Sequence, residues 1–285
     1  MTPILADLLQ LLELERLEDN IFRGESRDIG GERVFGGQVL GQALTAASYT
    51  AGVRQVHSLH AYFLLPGDAN APIVYQVDLA RDGKSFSTRR VVAIQHGRPI
   101  FNMAASFQTP EQGLDHAVAM PDVPGPEGLA DVRELPREMF DKLPDKLRRF
   151  MMHVRPFEFR FVEPLQIVPP VVAEPRRHLW IKTIGPIPDN PDLHRNVLAY
   201  LSDYQLVATA LRPHGVDYTA RDLQVATLDH AVWFHRTCRV DDWLLYAIDS
   251  PSASGGRGLA FGRFFTRDGK LVASTAQEGV IRLRN

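Results

Sequence analysis

At 285 residues, 45% of them hydrophobic and 23% charged, the chain is long enough for two domains of ordinary size and able to bury a core. A formal net charge of -2 and a pI near 6.6 exclude a long-range positive field, so nucleic acid and anionic lipid are not expected partners and any polyanionic ligand must be met by local arginines. The single cysteine, Cys238, excludes an internal disulfide and a thiolate cage for zinc and points to a reducing compartment.

The first predicted element is a helix with apolar Leu5, Leu8, Leu9, Leu12 and Leu14. Acidic residues interrupt this stretch and no basic leader precedes it, so neither a signal peptide nor an anchor is expected. No run reaches the roughly 18 uninterrupted apolar residues that span a bilayer, and the closing LRN is not a peroxisomal address. A cytoplasmic location follows as the expectation.

Next, VFGGQVLGQALTAASYT predicts a helix with Val39, Leu40, Ala43, Leu44 and Ala47 apolar. QVHSLHAYFLLPGD follows as a strand, and PIVYQVDLARDGKSFSTRRVVAIQHGRPIFNMAASFQT as three strands joined by tight turns. From Thr109 to about Leu147 the text is Pro-rich and irregular, and it reads as a connection with short helices near Arg133 and Lys142. A second Pro-rich break, PLQIVPPVVAEP, comes later. The first pattern then returns: DLHRNVLAYLSDYQLVATAL as a helix, QVATLDHAVWFHRTCRVDDW as a strand, and LLYAIDSPSASGGRGLAFGRFFTRDGKLVASTAQEGVIRL as three strands. His-Gly in QHGRP and Asp-Gly in TRDGK supply the positive φ of the corresponding hairpins.

A pattern written twice predicts two like units, residues 1–110 and 151–285, joined by a linker over 111–150. Within each, one apolar helix followed by antiparallel strands predicts an α+β fold in which a curved sheet wraps that helix. The small residues of GGQVLGQALTAAS let a sheet close around it.

Asp203 is the most informative position. At helical spacing its neighbours are Ala199, Tyr200, Leu206 and Val207, which puts a carboxylate in an apolar stripe. Such a group carries a perturbed pKa, and perturbed carboxylates gather at functional sites; a solvent-facing aspartate is the competing reading. Thr227 opens the strand ATLDHAVWFHR, where strict alternation groups it with Asp229, Ala231, Trp233 and His235. A threonine there is also simply a good strand former. Gln277 shares a strand face with Leu271, Ala273, Thr275 and Ile281, so its amide needs partners, whether structural or chemical.

His57, His60, His230 and His235 do not have standard zinc spacing and read as core or lining residues, so no metal is expected. There is no GxSxG elbow, and Cys238, near Arg236 and Arg239, reads as a plain surface thiol. FGGQVLG lacks dinucleotide-binding spacing. SASGGRG is either a strand-connecting loop or a phosphate contact in which Arg257 would bind substrate.

The stretches RVFGGQVLGQAL, VHSLHAYFLLPGD, RDGKSFSTRRVVAIQ, PIFNMAASFQ, VATLDHAVWFHR, WLLYAIDSPSASGGRG and LVASTAQEGV run in order along nearly the whole chain, and together they resemble the acyl-CoA thioesterase II family. The resemblance implies a double hot-dog fold, two antiparallel β-sheets each wrapped around a central helix. It also implies hydrolysis of acyl-CoA to a fatty acid and coenzyme A without a cofactor, and a homo-oligomer. By the same resemblance Asp203, Thr227 and Gln277 form the catalytic site, in the second half. The first half is non-catalytic, with Gln42 near the aspartate position and His57 at the threonine position. Gln205, polar where apolar character is expected, departs from the pattern and bears on acyl-chain preference. Two alternatives stand beside this reading: a hot-dog enoyl-CoA hydratase, for which Asn190-Pro191 in PDNPDLH offers a superficial motif, and a non-catalytic acyl-CoA-binding protein.

Overall fold

Helix α1 (Pro3–Leu12) starts behind Thr2 with proline in its first turn and turns Leu5, Leu8, Leu11 and Leu12 into the core. Short strands β1 (Glu15–Glu18) and β2 (Ile21–Gly24) follow. Helix α2 (Gly36–Tyr49) is buried on every side from Gly37 to Ala47, as a helix through the middle of a domain must be. It packs against β3 (Gln55–Phe63), β4 (Ile73–Asp82), β5 (Phe86–Gln95) and β6 (Arg98–Gln108). The β5–β6 hairpin turns through His96 (φ 48°) and Gly97 (φ 71°), the positive-φ pair that a two-residue turn requires.

In this computed structural model residues 1–29, 33–131, 148, 155–164, 171–216, 218, 220 and 222–284 are described. The short helices expected near Arg133 and Lys142 lie outside them. The second half adds β7 (Phe157–Phe161) and β8 (Arg176–Thr183), counterparts of β1 and β2 that helical and strand patterning did not single out. Helix α3 (Pro191–Ser202) is capped by Asn190, whose side chain accepts from the amides of Asp192 at 3.0 Å and Leu193 at 3.4 Å. Here the structure corrects the sequence reading. The predicted single helix through Asp203 stops at Ser202 and resumes as α4 (Leu206–Leu211), because Gln205 takes a left-handed conformation with φ 72°. Arg177 Nη1 donates to Gln205 Oε1 at 2.6 Å and holds that turn.

Strands β9 (Leu223–Thr227), β10 (Asp229–Phe234), β11 (Leu244–Ser254), β12 (Arg257–Thr266) and β13 (Leu271–Leu283) complete the sheet. The order is β1-β2-β4-β5-β6-β3-β10-β13-β12-β11-β8-β7, with β9 beside β13. Where two separate sheets were expected, one antiparallel sheet runs through both halves. Antiparallel pairing of β3 with β10, His60 opposite Ala231, joins them. Each strand would otherwise be an open edge, and pairing satisfies both rows of backbone groups.

One irregularity positions the site. Along β13 the pairing is regular from Phe234↔Ala273 to Ala231↔Ala276, yet Thr227 pairs with Gly279, so Leu228 is an extra residue that shares Glu278 with Asp229. This bulge rotates Thr227 onto the core face, away from Asp229, Ala231 and Trp233, with which strict alternation had grouped it. The same bulge occurs in the first half, where Val56 pairs with Phe107 and Ser58 with Ser106 around an extra His57. The two bulges set the equivalences: Val56 corresponds to Thr227, Leu59 to His230, Ala105 to Gln277 and Met103 to Thr275. His57 is therefore the bulge residue itself and not the counterpart of Thr227.

Residues 109–131 of the connection after β6 lie across the outer face of the second-half sheet. There Met120, Val123 and Leu129 pack on Trp180, Leu245, Ala247, Phe265 and Leu271. Trp180 Nε1 donates to Pro124 O at 2.8 Å. Leu271 belongs to this outer cluster because a second bulge, between Phe264 and Phe265, places it opposite Phe265 and off the face of Gln277.

Candidate active site

The break after Ser202 turns Asp203 out of the helical ladder and into the space between α2, β9 and β13. Gln277 Nε2 donates to Asp203 Oδ1 at 2.6 Å and to Thr227 Oγ1 at 2.9 Å. Gly37 N–H donates to Asp203 Oδ2 at 2.9 Å. The two carboxylate oxygens are thus held by a β13 side chain and by the first turn of a helix from the other half. The two glycines at the start of α2 make the approach possible: a Cβ at Gly36 would lie 2.7 Å from Asp203 Oδ2, and one at Gly37 would collide with Tyr200 O. The positive end of α2 faces the carboxylate.

Gln277 is buried and Asp203 and Thr227 are half-buried. Burial raises the Asp203 pKa to about 6, against the lowering effect of the bonds from Gln277 and Gly37. Aromatic residues enclose the approach: Phe35 lies 5.2 Å from Tyr200 and 4.7 Å from Tyr204, and Phe157 packs against both tyrosines. The phenols of Tyr200, Tyr204 and Tyr218 are all pushed up by burial, so among these described groups Asp203 is the one that titrates near neutrality. Chemically, the arrangement offers a carboxylate of elevated basicity with a hydroxyl and an amide beside it.

The structure thus brings Asp203, Thr227 and Gln277 together, and it leaves Arg257 apart. Arg257 sits beside the Gly255-Gly256 hairpin turn, its Nε 3.0 Å from Glu278 Oε1 on the sheet face opposite Gln277. Gln42 is a structural amide, donating to Leu11 O at 2.6 Å and Glu25 O at 2.9 Å and accepting from Tyr75 at 2.6 Å. Asn190-Pro191 caps α3 at the end remote from Asp203, which removes the residues on which the hydratase alternative rested. Cys238 is not a surface thiol: it is half-buried, and burial pushes its pKa to about 12 despite the nearby Arg195. Gly37 and His230 contact the site or its support but were not singled out as site residues. The glycine pair in FGGQ carried the signal for the first.

A family model described as acyl-CoA thioesterase matches residues 156–280, and one described as acyl-CoA thioesterase N-terminal domain matches residues 24–108. The chain is similar to acyl-CoA thioesterase 2 of Haemophilus influenzae, 44% identical over 283 residues and covering 99% of each chain. The chain belongs to the acyl-CoA thioesterase II family. Human acyl-coenzyme A thioesterase 8 is 40% identical to this thioesterase over 96% of its chain and 88% of the human protein. Among solved structures, the acyl-CoA thioesterase II TesB2 of Mycobacterium marinum is 42% identical with a TM-score of 0.80, covering 98% of this chain and 99% of that one. A hot-dog protein of Alicyclobacillus acidocaldarius, 20% identical with a TM-score of 0.77 over 98% of this chain and 99% of that one, shares the fold. The thioesterase is therefore a thioester hydrolase of hot-dog fold. No helix among its described residues is long and apolar enough to cross a membrane.

Proposed function

We propose that the thioesterase hydrolyses acyl-CoA at Asp203, Thr227 and Gln277, with Asp203 as general base. Thr227 and Gln277 orient a water, Asp203 takes one of its protons, and the oxygen attacks the thioester carbonyl. The oxyanion forms beside the N-terminal turn of α2. Collapse breaks the carbon–sulfur bond, and the thiolate takes up a proton to leave as coenzyme A beside the free acid. The observation that carries this reading is the paired bond of Gln277 Nε2, at 2.6 Å to Asp203 Oδ1 and 2.9 Å to Thr227 Oγ1. It links the three candidates through one buried amide. A protein that only bound acyl-CoA would have no use for a carboxylate held at a pKa near 6.

The test is thiol release from a series of acyl-CoA lengths by wild type and Asp203→Asn. We expect kcat to fall by about 10²–10⁴-fold in the variant while its unfolding curve stays cooperative. A folded variant with undiminished turnover overturns the assignment.

On this reading residues 1–110 are the non-catalytic half and 151–285 the catalytic one. Val56, Leu59 and Ala105, where the second half has Thr227, His230 and Gln277, support the division. A cytoplasmic enzyme fits the single free thiol. Self-association is read through the outer sheet face at the β3–β10 seam, where Tyr62, Trp233 and Phe261 are exposed. The row Arg90, Ala104, His60, Ala231, Ala276, Phe261, Asp249 complements itself when reversed. Phe261 then meets Ala104, His60 meets Ala276 and Arg90 meets Asp249 of a second copy. Light scattering on Trp233→Asp checks this, a mass unchanged from wild type counting against it.

A further inference from the structure

Asp203 is held through its carboxylate, and the residue before it is held more firmly still. Ser202 Oγ gives its one hydrogen to Ala199 O at 2.8 Å and lies 2.8 Å from His230 Nε2. The Ser202 carbonyl accepts from Tyr246 Oη at 2.8 Å, and Tyr246 Oη lies 3.0 Å from Thr275 Oγ1. Ser202, His230, Tyr246 and Thr275 are all buried. The serine has one hydrogen for two neighbours, so giving it to Ala199 O leaves the imidazole to donate, and a buried His230 Nδ1 without a partner among the described residues favours the Nε2–H tautomer.

The duplicated strands show that this network is particular to the catalytic half. On the paired core-facing positions the first half carries Val56, Leu59, Met103 and Ala105, all apolar. The second half carries Thr227, His230, Thr275 and Gln277 in their places, and every one of them bonds to Ser202 or Asp203 or to a group that does. Two of these residues belong to the proposed catalytic set. The other two secure the turn from which Asp203 projects. Four positions that could be filled with apolar side chains, as their counterparts are, carry polar groups instead, and buried polar groups are retained at a cost.

We propose that His230 is a positioning residue for thioester hydrolysis: its Nε2–H fixes Ser202, and with it the helix break that aims Asp203 at Gln277. The proposal rests on the reading of Asp203 as the base. Burial pushes the His230 pKa down to about 3, so the ring is a neutral donor wherever the enzyme works. Among the described residues the titratable groups facing Asp203 are the phenols of Tyr200, Tyr204, Tyr218 and Tyr246, all pushed up by burial, and none of them competes for the same pH range.

Three variants and one spectrum test it. In ¹⁵N-histidine spectra of wild type, His230 should show the neutral Nε2–H pattern from pH 5.5 to 8; an Nδ1–H or imidazolium pattern overturns the proposal. His230→Leu should lower kcat by about 10–10²-fold with KM nearly unchanged, because a displaced base loses attack geometry without losing the acyl groove. Its acid limb should move below pH 6 as the loosened turn admits water to Asp203. His230→Gln, whose amide nitrogen reaches the place of Nε2, should recover most of kcat and the limb, and His230→Asn, whose amide stops short, should not. Should the leucine variant fail to fold, the Gln–Asn contrast decides. Equal kcat and equal limbs in folded Gln and Asn variants overturn the positioning role. Asp203→Asn is assayed in parallel: retained turnover there removes the base itself, whatever the tautomer of His230.

Discussion

Asp203 and His230 have opposite electrostatic fates in the same interior. Desolvation favours the uncharged form of each, which raises the carboxylate to about 6 and lowers the imidazole to about 3. With Asp203 as the proposed base, only its ionised form takes a proton, so kcat/KM should rise through an acid limb near pH 6 and level off above it; an acid limb at pH 4 would contradict an enclosed base. For stability the signs differ. Folded Asp203 binds its proton more tightly than the unfolded chain does, so its contribution is full below pH 4 and is lost as pH rises through 6. His230 is depressed in the fold, so its contribution is full above pH 6.5 and is lost as pH falls toward 3, by up to about 5 kcal/mol. Urea unfolding of wild type and His230→Gln between pH 4 and 7 should show the steeper acid loss in wild type alone. Asp203 was legible as a residue because a charge among Ala199, Tyr200, Leu206 and Val207 must either be paired or turn to solvent, and the first of these marks a site. Its placement at a helix end was not.

At the scale of elements, the approach of α2 to α3 depends on small side chains. Gly37 lies against Tyr200 O, and a Cβ at Gly41 would come 3.2 Å from Asn196 O. Gly37→Ala should therefore push the two helices apart and destabilise the protein by about 1–3 kcal/mol, read as a lower denaturation midpoint. Turnover should fall with it, because Asp203 Oδ2 loses the Gly37 amide. Helix α2 and strands β3–β6 were legible from period and turn residues. The break between α3 and α4 was not, because Gln205 is an ordinary helix former that here adopts φ 72° with its amide held by Arg177, a residue distant in the chain. The bulge at Leu228 was equally hidden. A single extra residue leaves the hydrophobic alternation of VATLDHAVWF intact to the eye while reversing the face of Thr227.

Across the whole molecule, the β3–β10 seam and a core cluster running from Leu5 to Ala273 tie the two halves into one cooperative body. Calorimetry should show one transition with matching van't Hoff and calorimetric enthalpies; two resolved transitions would mean that the seam is weaker than its pairing implies. The second half receives the α2 N-terminus from its twin, so the two halves meet at the proposed site, where the Gly37 amide bonds Asp203.

The sequence alone determined the repeated helix-and-strand order and the three polar residues worth watching, because period, turn chemistry and a stranded charge are local properties that survive without coordinates; the hot-dog family entered through the resemblance of its ordered motifs. Only the tertiary structure decided that the halves share one sheet, that Thr227 turns inward and that Asp203 sits at a break braced by His230. Those depend on strand register, on one left-handed residue and on contacts between segments distant in the chain, and no local pattern encodes them.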